Sequence, residues 1–236
     1  MTDAGPPGFR TPTWVRGVLF DLDDTLSDYA STRDAAVLQW TSAMAGWELD
    51  PDATVARWAA LEVAWFARYA SGELTILQQR AGRVRDFLPG AADWHEARAI
   101  EEFDRLRSIY EASWRPFPDA RDALARALAS GRAVGVLTNG ETAYQTRKMR
   151  ELGLADERVP LLASSDLPAA KPDARAFRAA CERLGSAPDQ TLMIGDNPLT
   201  DMAGGEAAGL LVCHLCRNAQ SPASESWVRT LAEIDF

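Results

Sequence analysis

Long apolar runs are absent from this sequence. No stretch approaches the roughly 20 apolar residues that a membrane-spanning helix needs, and the N-terminal residues lack the charged-then-apolar pattern of a secretory signal. Both absences predict a cytoplasmic protein with no membrane partner. Cysteine is scarce: three in 236 residues is an odd, small number that builds no disulfide framework and fits a reducing compartment. Two of the three stand in Cys213-His214-Leu215-Cys216, the one stretch that invites a thiolate metal site. With only His95 and Cys181 left to complete a tetrahedral set, that reading is the weaker one. Basic charge is short as well, 25 Lys and Arg against 34 Asp and Glu, for a formal net charge of −9 and a pI near 4.8. That balance argues against a nucleic-acid polymer or an anionic membrane as partner. A small anionic substrate stays compatible with it, provided the fold supplies a local positive site. Internal repeats and low-complexity tracts are missing too.

What the sequence does hold is the composition of a soluble globular protein, 47% hydrophobic and 25% charged. Its length suits one large domain or a core with an insertion. The stretch Val18-Leu19-Phe20-Asp21-Leu22-Asp23-Asp24-Thr25-Leu26 organises the rest. An apolar run from Val15 to Phe20, interrupted only by Arg16 and Gly17, predicts a strand buried on both faces that ends abruptly in carboxylates. Ligands of an open parallel α/β sheet bind at the carboxyl ends of its strands. If the chain stays extended through Leu22, Asp21 and Asp23 leave the same side. Two ionised carboxylates so close repel unless a cation lies between them or one keeps a proton. Either solution suits phosphoryl transfer, with one Asp attacking phosphorus and the other handling the leaving-group proton. Alone, an Asp-x-Asp after a strand is more often a helix cap.

From about Ser31 to Trp114 the pattern is helical without strands. Asp50-Pro51 is an N-cap followed by a first-turn proline, and Trp58, Leu61, Trp65 and Tyr69 recur at helical spacing. Ser71-Gly72 and Leu88-Pro89-Gly90 break helices, and Asp93 is placed to cap a longer one toward Tyr110. With one more helix near Thr32 to Ala45, this makes roughly four, a small bundle inserted after the first strand. Six of the eight tryptophans fall here and are expected to fill the bundle rather than to form a stacking surface. The arginines at 33, 57, 68, 80, 83 and 85 are expected to be mostly a solvated face, with one or two available to a crevice.

After Arg115-Pro116-Phe117-Pro118, helices and strands alternate. Helices are predicted at Asp119 to Ser130, Glu141 to Leu152, Pro172 to Leu184 and Asp201 to Ala208. Strands are predicted at Ala133 to Leu137, Val159 to Ala163, Thr191 to Ile194 and Leu210 to His214. Alternation of this kind implies a parallel sheet covered by helices on both faces. The predicted organisation is a loose leader at 1–13, a Rossmann-like core made of 14–28 and 115–236, and a helical insertion at 29–114, with the last twenty residues packing on the core.

Three later strand ends carry further polar groups. Thr138-Asn139-Gly140 offers a hydroxyl and backbone N–H groups beside a helix start, where phosphate oxygens can be held. Lys171 precedes a helix, where a cation opposes the dipole unless it serves as a point charge on a phosphoryl group. Gly195-Asp196-Asn197-Pro198-Leu199-Thr200-Asp201 sets Asp196 at the same sheet end as Asp21. Two carboxylates, a main-chain carbonyl, a phosphate oxygen and waters would make an all-oxygen octahedral shell suited to Mg²⁺. Asp201 is better placed to orient a metal-bound water than to bind the metal. Each signal alone reads as a cap or turn; four in order at consecutive strand ends do not.

Together Asp21-Leu22-Asp23-Asp24-Thr25, Thr138, Lys171 and Asp196 with Asp201 resemble the motif set of the haloacid dehalogenase superfamily, over about residues 15 to 215. The resemblance implies a Rossmann-like core with an all-helical cap. It further implies Asp21 as nucleophile forming an aspartyl phosphate, Asp23 as general acid and then base, and Thr138, Asn139 and Lys171 as the phosphate-binding set. Mg²⁺ would be held by Asp21, the Asp23 carbonyl and Asp196, with Thr25, Asn197 and Asp201 in support. Thr138-Asn139-Gly140 with Gln145, Lys148 and Leu152-Gly153-Leu154 is similar to the branch of pyrimidine nucleotidases and acylneuraminate phosphatases, which points to a nucleotide or sugar phosphate as substrate. Leu167-Pro168-Ala169-Ala170 lacks the glycine usual in the family before the lysine. Because an alkoxide leaving group needs a proton and a halide does not, Asp23 favours ester hydrolysis over 2-haloacid dehalogenation. A phosphomutase on the same core and a non-catalytic binding module are the remaining alternatives. The sequence is compatible with a monomer or a homodimer.

Overall fold

Strands form where the apolar runs are covered on both faces. The structure, a computed structural model, describes residues 8–217 and 225–236. Its strands are β1 (Phe9–Arg10), β2 (Gly17–Phe20), β3 (Ala133–Thr138), β4 (Leu161–Ala163), β5 (Thr191–Gly195), β6 (Leu211–Leu215), β7 (Trp227–Val228) and β8 (Ile234–Asp235). Its α-helices are α1 (Tyr29–Ser42), α2 (Pro51–Ala70), α3 (Ile76–Phe87), α4 (Glu96–Ala112), α5 (Ala120–Ala129), α6 (Thr142–Glu151), α7 (Ala174–Leu184) and α8 (Gly204–Ala208). The chain divides into two compact units, Met1–Asp28 with Arg115–Phe236, and Tyr29–Trp114. Among the described residues no helix is long and apolar enough to cross a membrane.

The first unit is built on a parallel sheet in the order β4-β3-β2-β5-β6-β7, with helices on both faces. All four residues of β2 are buried, and Phe20 lies opposite Val136 of β3 and Ile194 of β5. From β2 the chain winds outward to β3 and β4, then returns to β5 on the other side and winds outward again. The reversal between β2 and β5 is a topological switch point, where loops diverge and a crevice opens at the carboxyl ends. On one face Leu19, Leu137, Leu162, Phe177, Met193 and Val212 pack into a continuous apolar cluster. Burying side chains of this size is worth roughly 1.5–3 kcal/mol each.

Two expectations need correction here. Residues 8–13 are not a loose leader: Phe9–Arg10 pairs with Ile234–Asp235, and the buried Thr11 donates its N–H to the Asp235 carbonyl at 2.7 Å. Residues 1–7 of that expected leader, and 218–224 of the tail, lie outside the described residues. The end of the chain fastens α5, since Arg126 donates to the carbonyls of Leu231 and Ile234 and lies over the Phe236 ring. The single helix expected from Asp201 to Ala208 is instead a wide π-type turn, Pro198–Ala203, running into the short α8.

The second unit is four helices. Asp50 caps α2 through its side chain to the Ala53 N–H at 2.9 Å, and Thr75 and Gln78 form a reciprocal capping box at the start of α3. The cap expected of Asp93 falls instead at His95, whose side chain makes no capping bond. Trp40, Trp47, Trp58 and Phe87 meet with ring centroids 5.0–5.7 Å apart, so tryptophans do fill the bundle. Arg33 and Arg83 are not on a solvated face: they converge on Glu62 at 3.1 and 2.9 Å, and Arg83 also lies 4.3 Å from the Trp58 ring centroid.

Candidate active site

The turn after β2 fixes the first acids. The Asp21 N–H donates to the Ile194 carbonyl at 2.9 Å, extending the ladder one residue past the strand. The chain then folds back tightly, with the Leu26 and Ser27 N–H groups both on the Leu22 carbonyl and Asp24 at a φ of 60°. Aspartate tolerates that left-handed conformation better than most residues. The fold-back brings Thr25 Oγ1 to 3.4 Å from Asp196 Oδ1 across the crevice.

Asp21 is buried, and Lys171 Nζ lies 2.5 Å from its Oδ1 and 2.6 Å from Asp201 Oδ1. Asp21, Asp196 and Asp201 each offer an oxygen within 4.8 Å of the others, so the segments that follow β2 and β5 converge. Gly195 makes the approach of Asp201 possible, since a Cβ there would stand 2.3 Å from Asp201 Oδ2. Asp201 already accepts from Lys171 on one oxygen and from the Asn197 N–H, at 3.1 Å, on the other, which suits an orienting role. Asn197 caps the turn that follows, taking the N–H groups of Leu199 and Thr200 at 3.0 Å each. His214 Nε2 is 2.8 Å from the Asp196 carbonyl oxygen and steadies that loop from β6. Cys213-His214-Leu215 is therefore the buried end of β6, with Cys216 buried just beyond it, and His214 is turned to the backbone of Asp196.

The Asn139 side chain is turned away from the crevice to the backbone of Lys171, which leaves phosphate contact by this residue to its backbone N–H. The side-chain amide donates to the Lys171 carbonyl and accepts the Lys171 N–H, both at 2.9 Å. This two-point clamp positions the lysine without the family's glycine. Thr138 is buried at the end of β3, and Gln145 Nε2 donates to its Oγ1 at 3.2 Å. The carboxylate of Asp23 stands outside the three-acid group. It is ion-paired with Lys148, and Gln145 Nε2 reaches its other oxygen at 3.5 Å.

The electrostatics of the cluster are one-sided. Burial, reinforced by Asp201 and outweighing the opposing pull of Lys171, pushes Asp21 up to about 7. Burial, reinforced by Asp21 and Asp201, pushes Asp196 up to about 9. Burial alone would lower Lys171, but Asp201 and Asp21 hold the ammonium above its ordinary range. Three carboxyl groups, two buried and Asp196 half-buried, crowd one ammonium, so in their ionised form they carry excess negative charge, and their donors are all hard oxygens. The set therefore fits a divalent cation of the Mg²⁺ or Ca²⁺ kind. Lys148 and Gln145 were visible in sequence only as part of a family pattern. Burial of a lysine at 1% exposure was the signal that sequence could not display.

Comparison with known proteins agrees with this geometry. The family described as haloacid dehalogenase-like hydrolase matches residues 15–209. A phosphoserine phosphatase of Thermus thermophilus is 35% identical over 219 residues, covering 82% of this chain and 85% of that one. The pyrimidine 5′-nucleotidase YjjG of Escherichia coli is 32% identical over 152 residues, covering 62% of this chain and 64% of that one. A crystal structure of the HAD-hydrolase YfnB from Bacillus subtilis, bound to magnesium, superposes with a TM-score of 0.76 at 25% identity, covering 93% of this chain and 96% of that one.

Proposed function

Because the chain belongs to the haloacid dehalogenase-like hydrolases, we propose that it is a Mg²⁺-dependent phosphomonoester hydrolase acting on a small phosphorylated metabolite in the cytoplasm. The observation that carries the reading is the meeting of the buried Asp21, Lys171 and Asp201 with the half-buried Asp196 in one group. Names of relatives add weight, since the phosphoserine phosphatase and the pyrimidine nucleotidase both take phosphate from small molecules.

The chemistry runs in two halves. A carboxylate oxygen of Asp21 attacks phosphorus as the ester P–O bond breaks, and Asp23 gives its proton to the departing alkoxide. Water then attacks the aspartyl phosphate; ionised Asp23 takes the water's proton, the Asp21–phosphate bond breaks, and inorganic phosphate leaves. Lys171 places a positive charge beside the attacking carboxylate, and Thr138 offers its hydroxyl to a phosphoryl oxygen. Asp21, Asp196 and the Asp23 carbonyl would hold Mg²⁺, which when bound neutralises the cluster and draws charge from the phosphoryl oxygens. Thr25, Asn197 and Asp201 keep that set in place.

Halide displacement would give Asp23 no proton to move, so its presence opposite Lys148 favours an ester. A nucleotide or sugar phosphate fits the Thr138-Asn139-Gly140 branch pattern. The test is hydrolysis of 4-nitrophenyl phosphate with Mg²⁺ and with a chelator, followed by a panel of phosphorylated metabolites that includes phosphoserine, nucleoside monophosphates and sugar phosphates. Turnover that the chelator abolishes is expected; absence of turnover under both conditions would leave a binding module.

A further inference from the structure

Lysine is almost never fully buried unless it is paired, yet Lys148 is 1% exposed in the middle of a surface helix. Its ammonium meets Asp23 Oδ1. Replacing a buried ion pair by apolar side chains is often neutral or stabilising, so stability alone is a weak reason for a lysine here. Gln145 lies one turn earlier on α6, on the same face. Its amide joins Asp23 Oδ2, at 3.5 Å, to Thr138 Oγ1, at 3.2 Å, and to the Asn139 carbonyl, also at 3.2 Å. The helix is itself fixed to the loop after β4, since the Gly140 N–H donates to Ser164 Oγ at 2.9 Å and the Thr142 N–H to Ser165 Oγ at 3.0 Å.

We infer that Lys148 and Gln145 are positioning residues that hold the Asp23 carboxyl group at a fixed distance from the phosphate-binding Thr138. Asp23 sits on a tight turn with about a third of its side chain exposed, 32%, and an unrestrained carboxylate there has solvent-facing rotamers open to it. Proton transfer needs the same oxygen within hydrogen-bond reach first of the ester oxygen and then of the attacking water. An ammonium on Oδ1 and an amide on Oδ2 hold the group through both halves. Because both restraints come from the helix that begins beside Thr138, phosphate position and acid position are set by one rigid element.

This inference rests on the proposed hydrolase reading, and the experiment separates the two. The enzyme is assayed with Mg²⁺ on 4-nitrophenyl phosphate, whose leaving group needs little protonation, and on glycerol 2-phosphate, whose alkoxide needs it fully. Lys148→Met is expected to lower kcat on the glycerol ester at least about tenfold more than on the aryl ester, with KM within about twofold, and Lys148→Arg to recover most of the loss. Asp23→Asn shows the same preference, and adding Lys148→Met to it costs less than about a further twofold. Equal losses on both esters, or additive losses in the double variant, overturn the inference. Should Lys148→Met fail to fold, Gln145→Leu carries the same signature at smaller amplitude, and its lack of ester preference overturns the inference equally. A wild-type enzyme inactive on both esters removes the hydrolase reading itself, and this inference with it.

Discussion

Each unit of the molecule holds a partly buried ionic cluster, and the two are balanced in opposite directions. In the helical unit Glu62 receives Arg33, Arg83 and the Tyr29 hydroxyl. Burial would raise its carboxyl pKa, but the two guanidiniums hold it below the usual range. In the sheet unit Asp21 and Asp201 share Lys171 with Asp196 beside them, and burial and repulsion push Asp21 and Asp196 up. A carboxylate outnumbered by cations is already neutralised and belongs to the scaffold. Carboxylates that outnumber their cation form a group that a further cation completes. The sign of the imbalance, more than burial, separates a site from a structural staple.

The comparison breaks most sharply at Asp21. Asp21→Asn is expected to lower kcat by about 10⁴-fold or more, as loss of a nucleophile does elsewhere, while thermal melting stays cooperative and does not shift down. Steady-state hydrolysis of 4-nitrophenyl phosphate and a melting curve on the same sample check it. Near-normal rates would end the nucleophile assignment.

At Glu62 the expected effect is on stability. Glu62→Gln leaves Arg33 and Arg83 without their carboxylate, at a cost of about 1–3 kcal/mol at neutral pH, read from urea unfolding. Because the folded pKa of Glu62 lies below the unfolded value of 4.5, its stabilisation is fully present above that value and is lost as pH falls through the folded one. The gap between wild type and variant should close in acid. A gap that persists unchanged there would mean that the ion pairs contribute little.

Strand ends were the legible part of this molecule. Apolar runs that stop at Asp21, Thr138 and Gly195-Asp196 mark where a parallel sheet must place its polar groups, so the nearness of Asp21 to Asp196 was legible from order along the chain. Side-chain orientation did not follow. Nothing in Gln145-x-x-Lys148 says which face of a helix is inward, and a lysine is expected in solvent until its partner is seen. Asn139 was legible only through its backbone N–H beside a helix start; that its side-chain amide would match the Lys171 backbone was not. The pairing of Phe9–Arg10 with Ile234–Asp235 joins two-residue strands at opposite ends of the chain, too short for any periodicity to reveal. Arg33 and Arg83 read as surface because their shared acid, Glu62, lies on a different helix.

The smallest effect tests the central claim, that the acids around Lys171 are completed by a divalent cation, most directly. Asp21 and Asp196 have folded pKa values raised from 3.8 to about 7 and about 9, so in chelator their contribution to stability is lost as pH rises through those values. The measurement is the melting temperature of the wild-type protein between about pH 6 and pH 9, in chelator and in millimolar Mg²⁺. A melting temperature that falls with rising pH in chelator and is restored by Mg²⁺, the restoration disappearing in Asp196→Asn, is the predicted result. Superimposable curves with and without Mg²⁺ across that range would contradict it.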